Sequence, residues 1–230
     1  CLQANIGRSL PRTRSATVFV DPARLRAAIE RLLPRVRSEL PGMRETTPAA
    51  LRSFVLGMLH ALRQRGGVCH RELPMRYIES GGSDNYVYKQ WVHLPSYGKN
   101  ARLPALLSDR TGTARFDSYE GPSVSNWYAR WADRCFFDGR ALIADASSTY
   151  GLVLPALVAE GLLVEHRGSR GERFWGIPDT ALRVTWQVLT ARCTTCNHVT
   201  CLARPEAEAW QDLPCATARC AGRYALQSAT

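Results

Sequence analysis

The sequence predicts an α+β fold, mainly helical, that closes on a small module organised by cysteines. Three observations carry this. Apolar residues recur at helical spacing over residues 22–37 and 47–65, two short apolar runs at 162–167 and 173–177 flank a Gly-Arg turn, and two cysteine pairs stand near the end. The 230 residues suffice for one large domain or two to three small ones with real cores. We divide them into a linker or basic arm (1–15), a helical domain with long basic loops (16–122), a helix–helix–hairpin domain (123–185) and a cysteine module (186–230).

The elements follow in order. Thr17–Val20 reads as a short strand, and Asp21-Pro22 caps a helix whose face is Leu25, Ile29, Leu32, Leu33 and Val36. Arg24, Arg26, Arg31, Arg35 and Arg37 lie largely on the other, solvated side, and Pro34 is expected to kink the helix. Thr47-Pro48 opens a core helix that Gly66-Gly67 ends. A short helix at 71–79, a Gly81-Gly82 turn and a Tyr86, Tyr88, Lys89 stretch suggest a first helix-turn-helix. Residues 92–122 read as long loops, with Tyr97, Lys99, Arg102, Arg110, Arg115 and Tyr119 interleaving aromatics and cations as a single-strand channel does. Ser123 or Ser125 then caps a helix carrying Trp127, Tyr128, Trp131, Cys135 and Phe136. A largely apolar helix follows at Ser147–Gly161, then the two strands.

Cys193-x2-Cys196 and Cys215-x4-Cys220 suit a four-thiolate site for one structural Zn2+, each pair on a tight turn. Arg192, Arg219 and Arg223 favour the thiolate forms. The second gap is wider than the usual two residues, so Cys201 and His198 stand as alternative ligands; the competing reading is buried or disulfide-linked cysteines. Glu206, Glu208 and Trp210 suggest a helical turn between the pairs, and Cys69 and Cys135 read as buried thiols. Such cysteine usage fits a reducing, cytoplasmic compartment. A four-thiolate ion has no open coordination position, and no nucleotide-loop, zinc-protease, hydrolase or kinase signature appears, so catalysis is not expected. His60 reads as a satisfied helix residue rather than a base.

The net charge of +10 comes almost wholly from arginine: only Lys89 and Lys99 are lysines. Arginine suits bidentate phosphate contacts, so a DNA partner, single- or double-stranded, is expected and a membrane is not. The chain opens on Cys1 without an initiator methionine, which leads us to expect a piece of a longer polypeptide.

The order of helix, apolar helix ending in Glu160-Gly161, Leu162-Leu163-Val164 strand, Gly-Arg turn and aromatic strand resembles the winged-helix family. That resemblance implies a recognition helix beginning at Ser148, Thr149 and Tyr150 and a phosphate-contacting wing with Arg167, Arg170 and Arg173. Pro155 and the lack of Arg, Asn or Gln on that helix depart from a base-reading surface. Winged helix followed by a four-cysteine zinc ribbon is similar to the accessory C-terminal region of bacterial DEAD/DEAH-box helicases, including those of DNA-repair and antiviral-defence systems. The resemblance implies an ATP-dependent motor elsewhere in the protein, and a nucleic-acid-guiding or partner-docking role here. The alternative is a protein-interaction scaffold that does not touch DNA.

Overall fold

The computed structural model describes residues 16–71, 73–83, 104–120, 126–137, 143–217 and 220–227. Within them the α+β expectation holds. Strand β1 (Thr17–Val20) leads into α1 (Pro22–Glu39), where Asp21 Oδ1 accepts from Ala23 N at 3.0 Å. The helix runs on through Pro34, buries Leu25, Ala28, Ile29, Leu32 and Val36, and exposes Arg26, Arg31, Arg35 and Arg37. In α2 (Pro48–Gln64) Thr47 Oγ1 accepts from Ala50 N, and a broad face from Leu51 to Leu62 is buried. Then come β2 (Val68–Cys69), α3 (Met75–Glu79), β3 (Leu107–Ser108), β4 (Asp117–Ser118), α4 (Trp127–Phe136) and α5 (Ile143–Ala159).

Two helix starts differ from the sequence reading. Asn126, rather than Ser123 or Ser125, caps α4: its Oδ1 accepts from Tyr128 N at 2.9 Å. Helix α5 begins at Ile143, which puts Ser148, Thr149 and Tyr150 in its second turn and not at its beginning. Ala146, Thr149, Tyr150, Val153, Leu154 and Leu157 recur at helical spacing and are all buried.

Strands β5 (Val164–Arg167) and β6 (Arg173–Pro178) form the expected hairpin. Strand β6 also pairs antiparallel with β3 and parallel with β2. Strand β7 (Leu182–Thr185) pairs antiparallel with β1, from Thr17 opposite Thr185 to Val20 opposite Leu182. The cysteine module holds β8 (Val188–Cys193), β9 (Val199–Ala203), α6 (Ala207–Trp210) and β10 (Tyr224–Gln227), its sheet ordered β10–β8–β9. Helix α6 is the helical turn that the sequence places between the cysteine pairs.

Residues 92–122 are not loose where they are described. Over 104–120, Leu106 and Leu107 are fully buried, Phe116 meets Phe174 edge-on at 5.0 Å and Tyr119 stacks on Tyr150 at 5.1 Å. The turn formers there loop the chain back so that β4 pairs parallel with β3. Tyr86, Tyr88, Lys89, Tyr97, Lys99 and Arg102, together with the 1–15 arm, lie outside the described residues.

The larger of two cores runs from Val20 to Tyr224 and is shared by segments 16–122, 123–185 and 186–230; the smaller gathers Leu73, Tyr77, Ile78, Ala105, Leu106, Phe116 and Phe174. In the larger, the closest approach is between α2 and α4. The indole of Trp131 lies on Gly57 and donates from Nε1 to Phe54 O at 2.9 Å; a Cβ at position 57 would stand 2.0 Å from Trp131 Cζ2. Alanine at a helix position normally gains about 1 kcal/mol over glycine. Here the sign reverses, and Gly57→Ala is expected to lose about 1–3 kcal/mol through overpacking, measured by urea denaturation.

His60, on the same helix, joins α2 to β9. Arg63 donates to its Nδ1 at 2.7 Å and to Val18 O, and Thr200 Oγ1 lies 3.1 Å from its Nε2. Nδ1 must therefore accept, and Nε2 is shared between Thr200 Oγ1 and the Gln64 side-chain amide, 2.8 Å away. Burial, then the charge of Arg63, holds the imidazole well below its ordinary value of 6.5. The unfolded chain thus binds a proton at His60 that the folded chain refuses. Stability is full above pH 6.5 and falls below it, by up to about 1.4 kcal/mol per pH unit from this group. Chemical denaturation between pH 7 and pH 5.5 reads that slope, and His60→Gln is expected to flatten it.

Candidate metal centre

The module brings four cysteines together from two turns. Cys193 ends β8, and its amide donates to His198 O at 2.9 Å, which closes the first turn; Asn197, at φ 59°, takes the left-handed position in it. Cys215 and Cys220 flank the second turn, held where Cys215 N donates to Gly222 O at 2.9 Å. The Sγ atoms of Cys193, Cys196, Cys215 and Cys220 all lie within 4.8 Å of one another, with Cys193–Cys220 and Cys196–Cys215 at 3.6 Å. A disulfide needs about 2.05 Å, whereas thiolates 2.3 Å from a tetrahedral ion stand roughly 3.8 Å apart. The four residues can hold a metal ion and are not linked to one another.

The chemistry of the donors fits this. Amides of Thr195, Thr217 and Gly222 each donate at 3.4 Å to the sulfur two residues before them, in Cys193, Cys215 and Cys220. The His198 amide does the same for Cys196 and, with the neighbouring sulfurs, brings that thiol down to about 6, while burial and contact with the other three sulfurs push Cys220 up to about 11. All four sulfurs thus receive the hydrogen bonds that stabilise thiolates. Burial instead pushes the lone Cys69 thiol up to about 12, and Cys135 upward as well.

The alternatives resolve on geometry. Cys201 sits on β9 opposite Thr190, outside the cluster, and the His198 ring is engaged through Nδ1 with Tyr224 Oη at 2.8 Å. The wide second gap is used in full.

Sequence reasoning missed what holds the second turn. Trp127 Nε1 donates to Ala216 O at 2.8 Å, and Arg134 donates to Cys215 O and to Thr217 O, the latter at 3.1 Å. Both side chains belong to α4, and their acceptors are backbone carbonyls, which carry no residue signature. Beneath the sulfurs Trp210 packs between Tyr224 (5.4 Å) and His60 (4.7 Å). Gly222 allows the two turns to meet: a Cβ there would stand 2.6 Å from Cys193 Sγ.

The other predicted site residues divide. Thr149 and Tyr150 are fully buried, and Tyr150 Oη donates to Tyr128 O at 2.9 Å, so neither side chain can reach a phosphate; Ser148 alone of the three is exposed. Arg167 is exposed, Arg170 is bound to Glu172 at 2.9 Å, and Arg173 is bound to Asp109 at 3.0 Å with its guanidinium 5.2 Å from the Trp175 ring. Arg115 joins them at the same end of the molecule. Its amide donates to Gly81 O just past α3, and Ser169 in the β5–β6 turn donates to Glu79 O at the end of α3, both at 3.0 Å. Exposed Arg76 and Arg110 border this end, from α3 and from the turn after β3. A cleft of about 720 Å³ opens between α2, α4 and the second turn, but its cation, Arg65, is bidentate to Asp117 at 2.8 and 3.1 Å.

No protein-family profile, curated protein or solved structure matches this chain. Among the described residues no helix is long and apolar enough to cross a membrane.

Elemental analysis of the purified protein is expected to find one metal ion per chain. Cys193→Ser and Gly222→Ala should each lower that content, the first to near zero; full occupancy in Cys193→Ser would remove the site.

Proposed function

We propose that this chain is a non-catalytic accessory region of a larger ATP-dependent helicase, that it engages nucleic acid through phosphate contacts, and that its metal is a structural zinc. The observation that carries the nucleic-acid reading is the convergence of arginines at one end. Residues 108–115 and 167–173, far apart in sequence, meet across α3 and present Arg110, Arg115 and Arg167 together. Guanidinium groups on an exposed hairpin and its neighbouring turn suit the duplex backbone or a single strand. The order α4, α5, β5, β6 and then the cysteine module supports the winged-helix and zinc-ribbon reading. Four tetrahedral thiolates favour zinc, which has no redox chemistry and here no open position for water.

Burial of Thr149 and Tyr150 narrows the mode of binding. With these side chains in the core, α5 offers little to a base edge, so affinity is expected to be insensitive to sequence. The same burial favours the second reading, a scaffold whose surfaces meet protein only.

Anisotropy of labelled single and double strands across a salt series separates the two. We expect affinity to fall steeply with salt, and Arg167→Ala to weaken binding to all sequences while reducing the salt slope by about 1. Absence of binding to either strand type at low salt would overturn the nucleic-acid reading and leave the scaffold.

A further inference from the structure

Among the described residues the two most exposed large apolar side chains, Val184 at 63% and Trp186 at 75%, stand two positions apart on β7 and just beyond it. At that spacing they share one face of an extended chain. The turn that carries the indole is tied down: Val188 N donates to Trp186 O at 3.0 Å, Gln187 N to Thr185 Oγ1 at 3.1 Å, and Arg204 N to Gln187 O at 2.9 Å. The side chain is therefore presented by a fixed backbone.

Among the described residues, strand β7 pairs on one side only, with β1. Asp21 N donates to Ala181 O at 3.1 Å, in register with the β1–β7 ladder. Hydrogen-bonded and non-bonded pairs alternate along an antiparallel ladder. Arg183 and Thr185 therefore bond to β1, and the N–H and C=O of Val184 point away from it, toward the outer edge. Among the described residues that edge combines an unpaired backbone donor and acceptor, two apolar side chains on one face, exposed Arg204, and a half-exposed Arg183 whose guanidinium is ion-paired with Asp21 at 3.0 Å. A short strip of this kind falls well below the roughly 800 Å² per partner that a stable dimer buries, which argues against a second copy and for a short segment.

We propose that the outer edge of β7 is a docking site for an extended segment of a partner polypeptide, apolar at alternate positions and acidic at its ends, which adds to β7 as a further strand. The backbone of Val184 supplies the pairing, Val184 and Trp186 receive alternate side chains, and the arginines select the acidic flanks. This surface is separate from the arginines invoked for nucleic acid and does not depend on that reading.

The test uses the full chain and a fluorescein-labelled octapeptide of alternating valines with glutamates at both ends. Its controls are the same peptide N-methylated along one edge, a lysine-flanked version and a labelled single-stranded oligonucleotide. Binding of the acidic peptide is expected, with at least a tenfold loss for the N-methylated and lysine versions and for Trp186→Ala, whose metal content and Tm stay unchanged. The difference in emission between the wild type and Trp186→Phe should be quenched by acrylamide before peptide is added and shielded after it. The proposal is overturned if the acidic peptide does not bind, if N-methylation or Trp186→Ala leaves binding unchanged, or if acrylamide cannot reach Trp186 in the free protein. It is also overturned if Trp186→Ala abolishes oligonucleotide binding alone, which would make the indole a base-stacking surface.

Discussion

Helix α4 is held between two unlike neighbours, and the rest of the molecule depends on that double contact. One face lies against α2, where only glycine at position 57 lets the Trp131 indole approach. Along the same side, Trp127, stacked on Trp131 at 5.3 Å, and Arg134 reach the carbonyls of the second cysteine turn. A ten-residue helix with this many obligations is rigid because neither neighbour can shift without breaking hydrogen bonds or close packing. The cysteine module is thereby continuous with the helical core. Cys193, Cys215 and Cys220 belong to the same buried cluster as the Phe54–Tyr150 aromatic contact at 5.2 Å, and Cys196 stands exposed at its margin.

This arrangement separates cohesion from recognition. The sulfurs, Trp210, Tyr224 and His60 form a joint between the cysteine module and α2, and His60 and Trp210 also line the cleft between α2, α4 and the second turn. The groups proposed to meet a partner lie elsewhere: arginines around the β5–β6 turn, and the apolar strip along β7. Several of those arginines are steered by acids. Asp109 fixes Arg173 beside Trp175, and Glu172 holds Arg170. Exposed ion pairs of this sort add little stability, but they set where a guanidinium points and so shape the field at that end.

What could be read in the sequence was what depends on neighbours in the chain. The spacing of Leu25, Ile29, Leu32 and Val36 marks a helix face, Asp21 and Thr47 announce their caps, and the cysteine pairs mark two turns. The boundaries failed where a better local competitor existed: Asn126, immediately before α4, accepts from its first amides. The apolar stripe of α5 extends back to Ala146, which a start at Ser147 hides. Residues 104–120 were illegible for another reason. Leu106, Leu107, Phe116 and Tyr119 are separated by turn formers and polar residues, and their burial depends on β6 and α5, far along the chain. The fourfold sulfur set was legible, whereas its α4 clamp was not, because a carbonyl acceptor leaves no trace in residue identity.

The pairing of β1 with β7 has a consequence for biosynthesis. The first described strand has its partner almost at the other end of the described chain, just ahead of the cysteines. On the ribosome β1 must wait, edge unpaired, while α1 to β6 emerge and begin to pack, and so distant a closure is slow to form. The last described turns then arrive together: β7 pairs with the first described strand, and the cysteine turns complete the joint beside it. Chain truncated before that point would leave Val18, Phe19 and Val20 uncovered, an apolar signal by which quality control can tell an unfinished molecule from a finished one.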